Sequence, residues 1–348
     1  MKSIQQISAM VVCAFAVLAS AQSDKVAKPE RVARKVSFPI DADFELNGTL
    51  LFPSEPDEAA PVPCVLLLAG SGPTDRNGNH GQIRPRLLSQ TAVALADHGI
   101  ATFRYDKRAF TGYAENFPDL EELSEFFRLN RFVSDAEHAL EFMRSQPGID
   151  TDRIAVLGHS EGGLIALTLA AGENPPLGIM CLAAPGRPVA ELLREQISTQ
   201  IGKTSPDALE KILASFDAAM DAVKNQEPLP TDLPSWMGSI FNVTTVGIMK
   251  DYAEVDPIEL ARKAKGPVLV LNGSADMQVS VEKDAAVLAE ALSSRADEIT
   301  TLTILEGISH NFKTIKMPGD PGVSGPVVEA AFDAIRAWCD QNLVGAED

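Results

Sequence analysis

Short apolar runs recur along the chain, bounded by Gly, Pro, Asn or Asp and separated by segments with helical spacing. Residues 65–68, 100–105, 154–157, 177–183, 267–271 and 300–305 read as strands. The intervening stretches 86–98, 132–144, 281–292 and 327–343 read as helices; Val133, Ala136, Leu140 and Met143 show the spacing of one buried helical face. Residues 36–51 alternate apolar and polar positions, with Asn47-Gly48 as the expected turn of a hairpin. Apolar strands alternating with helices predict an α/β fold, a mostly parallel sheet covered on both faces. From about 187 to 265 the pattern becomes helical and polar, and the strand signature resumes only at Pro267. We therefore expect one α/β domain over 22–348, with a helical cap inserted at about 187–265.

The N-terminus reads differently. Lys2 precedes an apolar run over 7–18, which ends in Ala19-Ser20-Ala21. A basic start, an apolar centre and small residues at the end form a signal-peptide pattern over 1–21. The run is too short to span a bilayer comfortably. The expectation is export to the periplasm or beyond, with no stable membrane insertion after cleavage. At 348 residues and 45% hydrophobic, the chain can bury a large core. Its net charge of −18 repels nucleic acid and anionic membranes, so neither is an expected partner. Cys64, Cys181 and Cys339 lie beyond the leader; they allow one disulfide but no disulfide-dense scaffold.

Chemistry concentrates at Gly158-His159-Ser160-Glu161-Gly162. The pentapeptide directly follows a strand-like run and precedes a small-residue helical one. Strand, G-x-S-x-G and helix together form a nucleophile elbow. The turn is too tight for side chains at Gly158 and Gly162, and it lifts the Ser160 hydroxyl to the N-terminal end of a helix. A serine hydroxyl needs a base, and the base needs an orienting acid. In such sheets the order is Ser, acid, His. Of five histidines only His310 lies downstream of Ser160 with room for an acid between. Asp276 directly follows the strand at 267–271 and is the expected acid, with Glu306 as rival. Asp251 and Asp256 fall in the insertion, and Asp284 and Asp297 in a helix or at its end. Two backbone amides should face the developing oxyanion. One is that of Glu161. The other comes from the loop after 65–68, at Ser71 with Gly72 as alternative. Asp75-Arg76-Asn77 either braces that loop or forms a solvated turn. The chain carries no dinucleotide fingerprint, no Walker loop and no zinc spacing, so neither cofactor nor metal is expected.

The chain resembles the α/β-hydrolase superfamily over nearly its whole length beyond the leader. The stretches Ala-Gly-Ser-Gly-Pro-Thr-Asp-Arg-Asn-Gly-Asn, Arg-Tyr-Asp-Lys-Arg, Gly-His-Ser-Glu-Gly-Gly, Gly-Ser-Ala-Asp-Met-Gln-Val and Ser-His-Asn-Phe carry the resemblance. Within the superfamily they look like the bacterial esterase and acyl-thioesterase-like group related to serine aminopeptidases and monoacylglycerol lipases. Ala109 stands where many relatives have Gly, and Ala69 where a His often precedes the oxyanion glycine. The resemblance implies Ser160, Asp276 and His310 as a catalytic triad and the loop at Gly70 as oxyanion donor. The substrate it implies is a small acyl ester cleaved through an acyl-enzyme. A peptidase or thioesterase on the same fold, or a non-catalytic ligand-binding homologue, are the alternatives. The insertion carries Trp236, Met237, Phe241, Met249 and Tyr252. These either pack the insertion onto the sheet or line an acyl pocket, for which Trp236, Met237 and Phe241 are the candidates.

Overall fold

The computed structural model describes residues 30–345 apart from 43, 297, 298 and 318; the expected leader over 1–21 lies outside the described residues. Eight strands form one sheet: β1 (Val32–Asp41), β2 (Phe44–Phe52), β3 (Val62–Leu68), β4 (Ala101–Tyr105), β5 (Ile149–His159), β6 (Ile179–Leu182), β7 (Val268–Gly273) and β8 (Thr300–Leu305). Their spatial order is β1-β2-β4-β3-β5-β6-β7-β8. β1 and β2 pair antiparallel, as do β2 and β4, and every later pairing is parallel.

The central strands are apolar throughout because both of their faces are covered. In β3, Cys64, Leu66 and Leu68 face one layer while Val65 and Leu67 face the other. The helices are α1 (Leu87–Ala96), α2 (Leu123–Phe126), α3 (Leu129–Arg144), α4 (Glu161–Ala171), α5 (Val189–Thr204), α6 (Leu209–Asn225), α7 (Val246–Glu254), α8 (Pro257–Lys263), α9 (Ala286–Ser293) and α10 (Glu329–Cys339). Leu88 and Leu95 of α1 and Ile335 and Trp338 of α10 cover one face. Residues of α3, α4, α8 and α9 cover the other, among them Phe132, Leu164, Ala261 and Leu288.

Two expectations shift. The β1–β2 turn falls at Ala42, with Asp41 paired to Phe44, and not at Asn47-Gly48. Gly48 sits inside β2, where a Cβ would come 2.7 Å from Cζ of Phe103. The glycine makes room for an aromatic ring; it does not turn the chain. The second shift concerns the insertion. Its helices α5–α7 have their own apolar cluster around Phe216, Met237, Phe241 and Met249. But α8, inside the expected 187–265, joins the main core through Ala261 and serves as the crossover helix into β7. Cys64, Cys181 and Cys339 are buried and free. Burial pushes the Cys181 thiol up to about 12, and raises Cys64 and Cys339 as well, so they act as small apolar side chains.

Candidate active site

The loops after β3, β4, β5, β7 and β8 all leave the same, carboxyl edge of the parallel strands. Ser71, Lys107, Ser160, Asp276 and His310 sit on these loops. Open parallel sheets place their ligands at this edge.

Ser160 lies between β5 and α4 with φ 55° and ψ −122°. A non-glycine residue held there is strained by about 1–3 kcal/mol, so the surroundings must enforce it. They do. A Cβ on Gly158 would overlap the Gly162 carbonyl, and one on Gly162 would lie 2.6 Å from the Leu68 carbonyl oxygen. The Ser160 amide donates to the Leu182 carbonyl (2.8 Å), which pins the turn to β6. Gly158→Ala is therefore expected to cost about 2–3 kcal/mol, as an overpacked site does, read as a fall of several degrees in Tm.

Asp276 and His310 come together across the β7 and β8 loops. His310 Nδ1 donates to Asp276 Oδ2 at 2.8 Å, and the Asp276 carboxylate is fully shielded from solvent. Its other oxygen accepts the amides of Gln278 (2.7 Å) and Val279 (2.9 Å). Three donors thus hold the carboxylate in place. Glu306, the rival acid, is exposed in the turn after β8 and makes no hydrogen bond to His310. His159, next to Ser160, donates Nε2–H to the His310 carbonyl (2.9 Å) and ties the His310 loop to the elbow. Burial, reinforced by the nearby His310, lowers the His159 pKa to about 3, so its ring is neutral. The Ser160 hydroxyl makes no hydrogen bond to His310 among the described residues; such bonds are commonly loose before substrate arrives.

The loop after β3 runs past Ser160, and a Cβ on Gly70 would lie 3.2 Å from the Ser160 Cβ. Arg76 braces this loop. It pairs with Asp106 through Nε (3.0 Å) and Nη2, and donates to the Gly48 carbonyl (2.6 Å). Asp75 accepts the amides of Asn77 and Asn79 and so closes the turn. Ser71 lines the same small cavity as Ser160 and Glu161, and its amide makes no hydrogen bond to protein among the described residues. The Glu161 amide opens α4 and has no acceptor within the helix. Gly72 has φ 83°, and a Cβ there would lie 3.2 Å from the His80 ring.

Three cavities flank this centre: one of about 330 Å³, lined by Arg187, Glu195, Asp276 and Glu282 among others, and two that meet at Ser71 and Tyr252. The smaller of those two, about 150 Å³, is lined by Ser160, Val189, Leu192, Leu193 and Tyr252 among others. The larger, about 530 Å³, has an apolar wall that includes Phe117, Phe127, Ile248 and Met249. Ser71 and Tyr252 line both. The pocket expectation for Trp236, Met237 and Phe241 needs correction. Met237 and Phe241 are buried in the insertion's own cluster, Phe241 against Phe216 with ring centroids 5.5 Å apart. Trp236 is 41% exposed, and none of the three lines either cavity.

Sequence reasoning missed Lys107, Tyr252 and the Glu161 carboxylate. All three are buried, and Glu161 accepts from both Lys107 Nζ and the Tyr252 hydroxyl. One signal existed. Asp106-Lys107-Arg108 is a charged run directly after a buried strand, and each member has a partner: the half-buried Arg76 and the buried Glu161 and Asp135.

The chain is similar to known proteins in sequence and in fold. The family model described as "Serine aminopeptidase, S33" matches residues 85–313. Esterase EstD of Thermotoga maritima is 25% identical over 301 residues, spanning 86% of this chain and 67% of that protein. Among solved structures, Est1E from Butyrivibrio proteoclasticus superposes with a TM-score of 0.55 at 13% identity, covering 89% of this chain and 99% of its own. The acylaminoacyl peptidase of Pyrococcus horikoshii gives 0.57 at 17% identity, covering 91% of this chain and 43% of that one. These two structures share the fold, in which the sheet and its covering helices are those of an α/β-hydrolase. With two thirds of its length inside the family model, the chain belongs to the serine aminopeptidase S33 family of the α/β-hydrolase superfamily.

Proposed function

We propose that the protein is a serine carboxylesterase, with Ser160 as nucleophile, His310 as base and Asp276 as orienting acid. The observation that carries this reading is the His310–Asp276 hydrogen bond beside a serine strained into an elbow. In this reading His310 takes the Ser160 proton as the hydroxyl attacks the ester carbonyl. The Ser71 and Glu161 amides receive the oxyanion. His310 then protonates the leaving alcohol, and water releases the acyl group by the reverse route. No cofactor takes part, and the partner is a small-molecule acyl ester.

The larger cavity supports an apolar acyl arm, held by Phe117, Phe127, Ile248 and Met249. Recognition of a peptide amine would instead call for an unpaired carboxylate close to Ser160. Glu161, the acid that lines the cavity at Ser160, is held by Lys107 and Tyr252; in the polar cavity beside Asp276, Glu195 pairs with Arg187 and Lys283, and Glu282 there makes no ion pair among the described residues. We therefore favour esters over aminoacyl substrates. The test is a p-nitrophenyl ester series run beside aminoacyl anilides. With about 0.8 kcal/mol per buried methylene, kcat/KM should rise about fourfold per methylene and then level off as the cavity fills. Flat rates with acyl length, or anilides cleaved faster than every ester, would overturn the assignment.

We further propose export, on the apolar run and Ala19-Ser20-Ala21. The intact mass of protein recovered from an exporting host should correspond to a chain starting at Gln22. A mass that includes residues 1–21 contradicts export by cleavage.

A further inference from the structure

We propose that Lys107 and Tyr252 are positioning residues that set both oxyanion amides at once and tie them to the seating of α7. The proposal rests on the reading of Ser160 as nucleophile. Lys107 leaves the end of β4 between two anchored neighbours, Asp106 on Arg76 and Arg108 on Asp135. Its ammonium meets three elements. It donates to the Gly70 carbonyl at 3.1 Å, pairs with the Glu161 carboxylate, and stands 4.2 Å from the centre of the Phe132 ring.

The Gly70 contact matters because of peptide geometry. The carbonyl of Gly70 and the N–H of Ser71 belong to one planar unit, and in a trans peptide they point in opposite directions. No peptide bond among the described residues is cis. Lys107 on the carbonyl therefore aims the Ser71 N–H away from itself. Ser71 and Ser160 share the small cavity, which Lys107 does not line. Rotating the peptide plane would break the Lys107 bond and leave a buried ammonium with one acceptor fewer. The cation also draws electron density toward the carbonyl oxygen, which strengthens the amide as a donor.

The second amide is fixed by the same cluster. Glu161 offers its backbone N–H at the start of α4, while its side chain is held by Lys107 and by the Tyr252 hydroxyl. Tyr252 comes from α7. Its neighbour Asp251 docks that helix by accepting from Arg128 Nε (2.7 Å), Arg128 Nη2 (2.5 Å) and the Leu129 amide (2.9 Å). Seating of α7 thus delivers the Tyr252 hydroxyl to Glu161, and movement of α7 removes it. The oxyanion site is fully braced only when the insertion is in place.

The test uses Tyr252→Phe and the double variant Lys107→Met/Glu161→Gln, which removes the cation without leaving a bare buried carboxylate. For each, kcat and KM are measured with a p-nitrophenyl ester. Inhibition constants are measured for a trifluoromethyl ketone, which forms an oxyanion on the serine, and for the matching secondary alcohol, which does not. The double variant should lose about 10- to 100-fold in kcat, somewhat less than loss of a whole donor costs, with KM little changed. Tyr252→Phe should lose less, in the same direction. Ketone affinity should fall in step with kcat, and alcohol affinity should hold. Equal weakening of ketone and alcohol, or unchanged ketone affinity in Tyr252→Phe, overturns the proposal even if the double variant does not fold. Hydrolysis that survives Ser160→Ala would instead defeat the underlying nucleophile assignment, so the two failures are distinct.

Discussion

Ser160→Ala should lower turnover by several orders of magnitude, leaving roughly 10³-fold over the uncatalysed rate from the oxyanion amides and binding. Ser71 and Tyr252 line the same cavity, but Ser71 stands in the loop after β3 and not in the strained elbow, and the Tyr252 hydroxyl is bonded to Glu161. The variant should keep its fold, because the Ser160 hydroxyl makes no hydrogen bond to protein among the described residues and alanine can be held in the same turn by Gly158 and Gly162. Kinetics against p-nitrophenyl esters, with Tm measured alongside, separate loss of chemistry from loss of structure. A large fall in Tm would mean that the hydroxyl is part of the core.

Asp276→Asn should cost on the order of 10⁴ in turnover. The reason lies in the hydrogen bonds at this residue. One carboxylate oxygen is occupied by the amides of Gln278 and Val279, which hold an acceptor at that position. An asparagine would keep its carbonyl oxygen there and turn its NH₂ toward His310 Nδ1. The imidazole would then accept at Nδ1 and carry its proton on Nε2, the nitrogen that takes the Ser160 proton in the proposed mechanism. Glu306→Gln should change little, since Glu306 is exposed and makes no bond to His310. The opposite ranking of the two variants would move the orienting acid to Glu306.

Much of the arrangement was legible in the sequence because burial on both faces forces continuous apolar strands. The runs at 65–68 and 267–271 mark β3 and β7, and the loops that follow them carry Ser71 and Asp276. His310 was legible from chain order, since it follows the last strand. The misread positions share a physical cause: their role depends on a partner distant in sequence. Asn47-Gly48 has the composition of a turn, but the Phe103 ring from β4 decides its conformation. Trp236, Met237 and Phe241 have the composition of a pocket wall, yet an insertion of three helices needs a core of its own, and Met237 and Phe241 supply it. Lys107 carries no signal of its own in the sequence. Its meaning depends on Glu161, 54 positions away, and on Tyr252 from the insertion.

Ser160 is the proposed reacting group, and the site of covalent labelling measures this most directly. The purified protein is treated with a fluorophosphonate, its intact mass is recorded, and the adduct is located by peptide mapping. One added phosphonyl group per chain, on the peptide containing Gly158-His159-Ser160-Glu161-Gly162 and absent from Ser160→Ala, is the predicted result. A stoichiometric adduct on any other residue, or an unlabelled chain under conditions that label a serine esterase run in parallel, would contradict it.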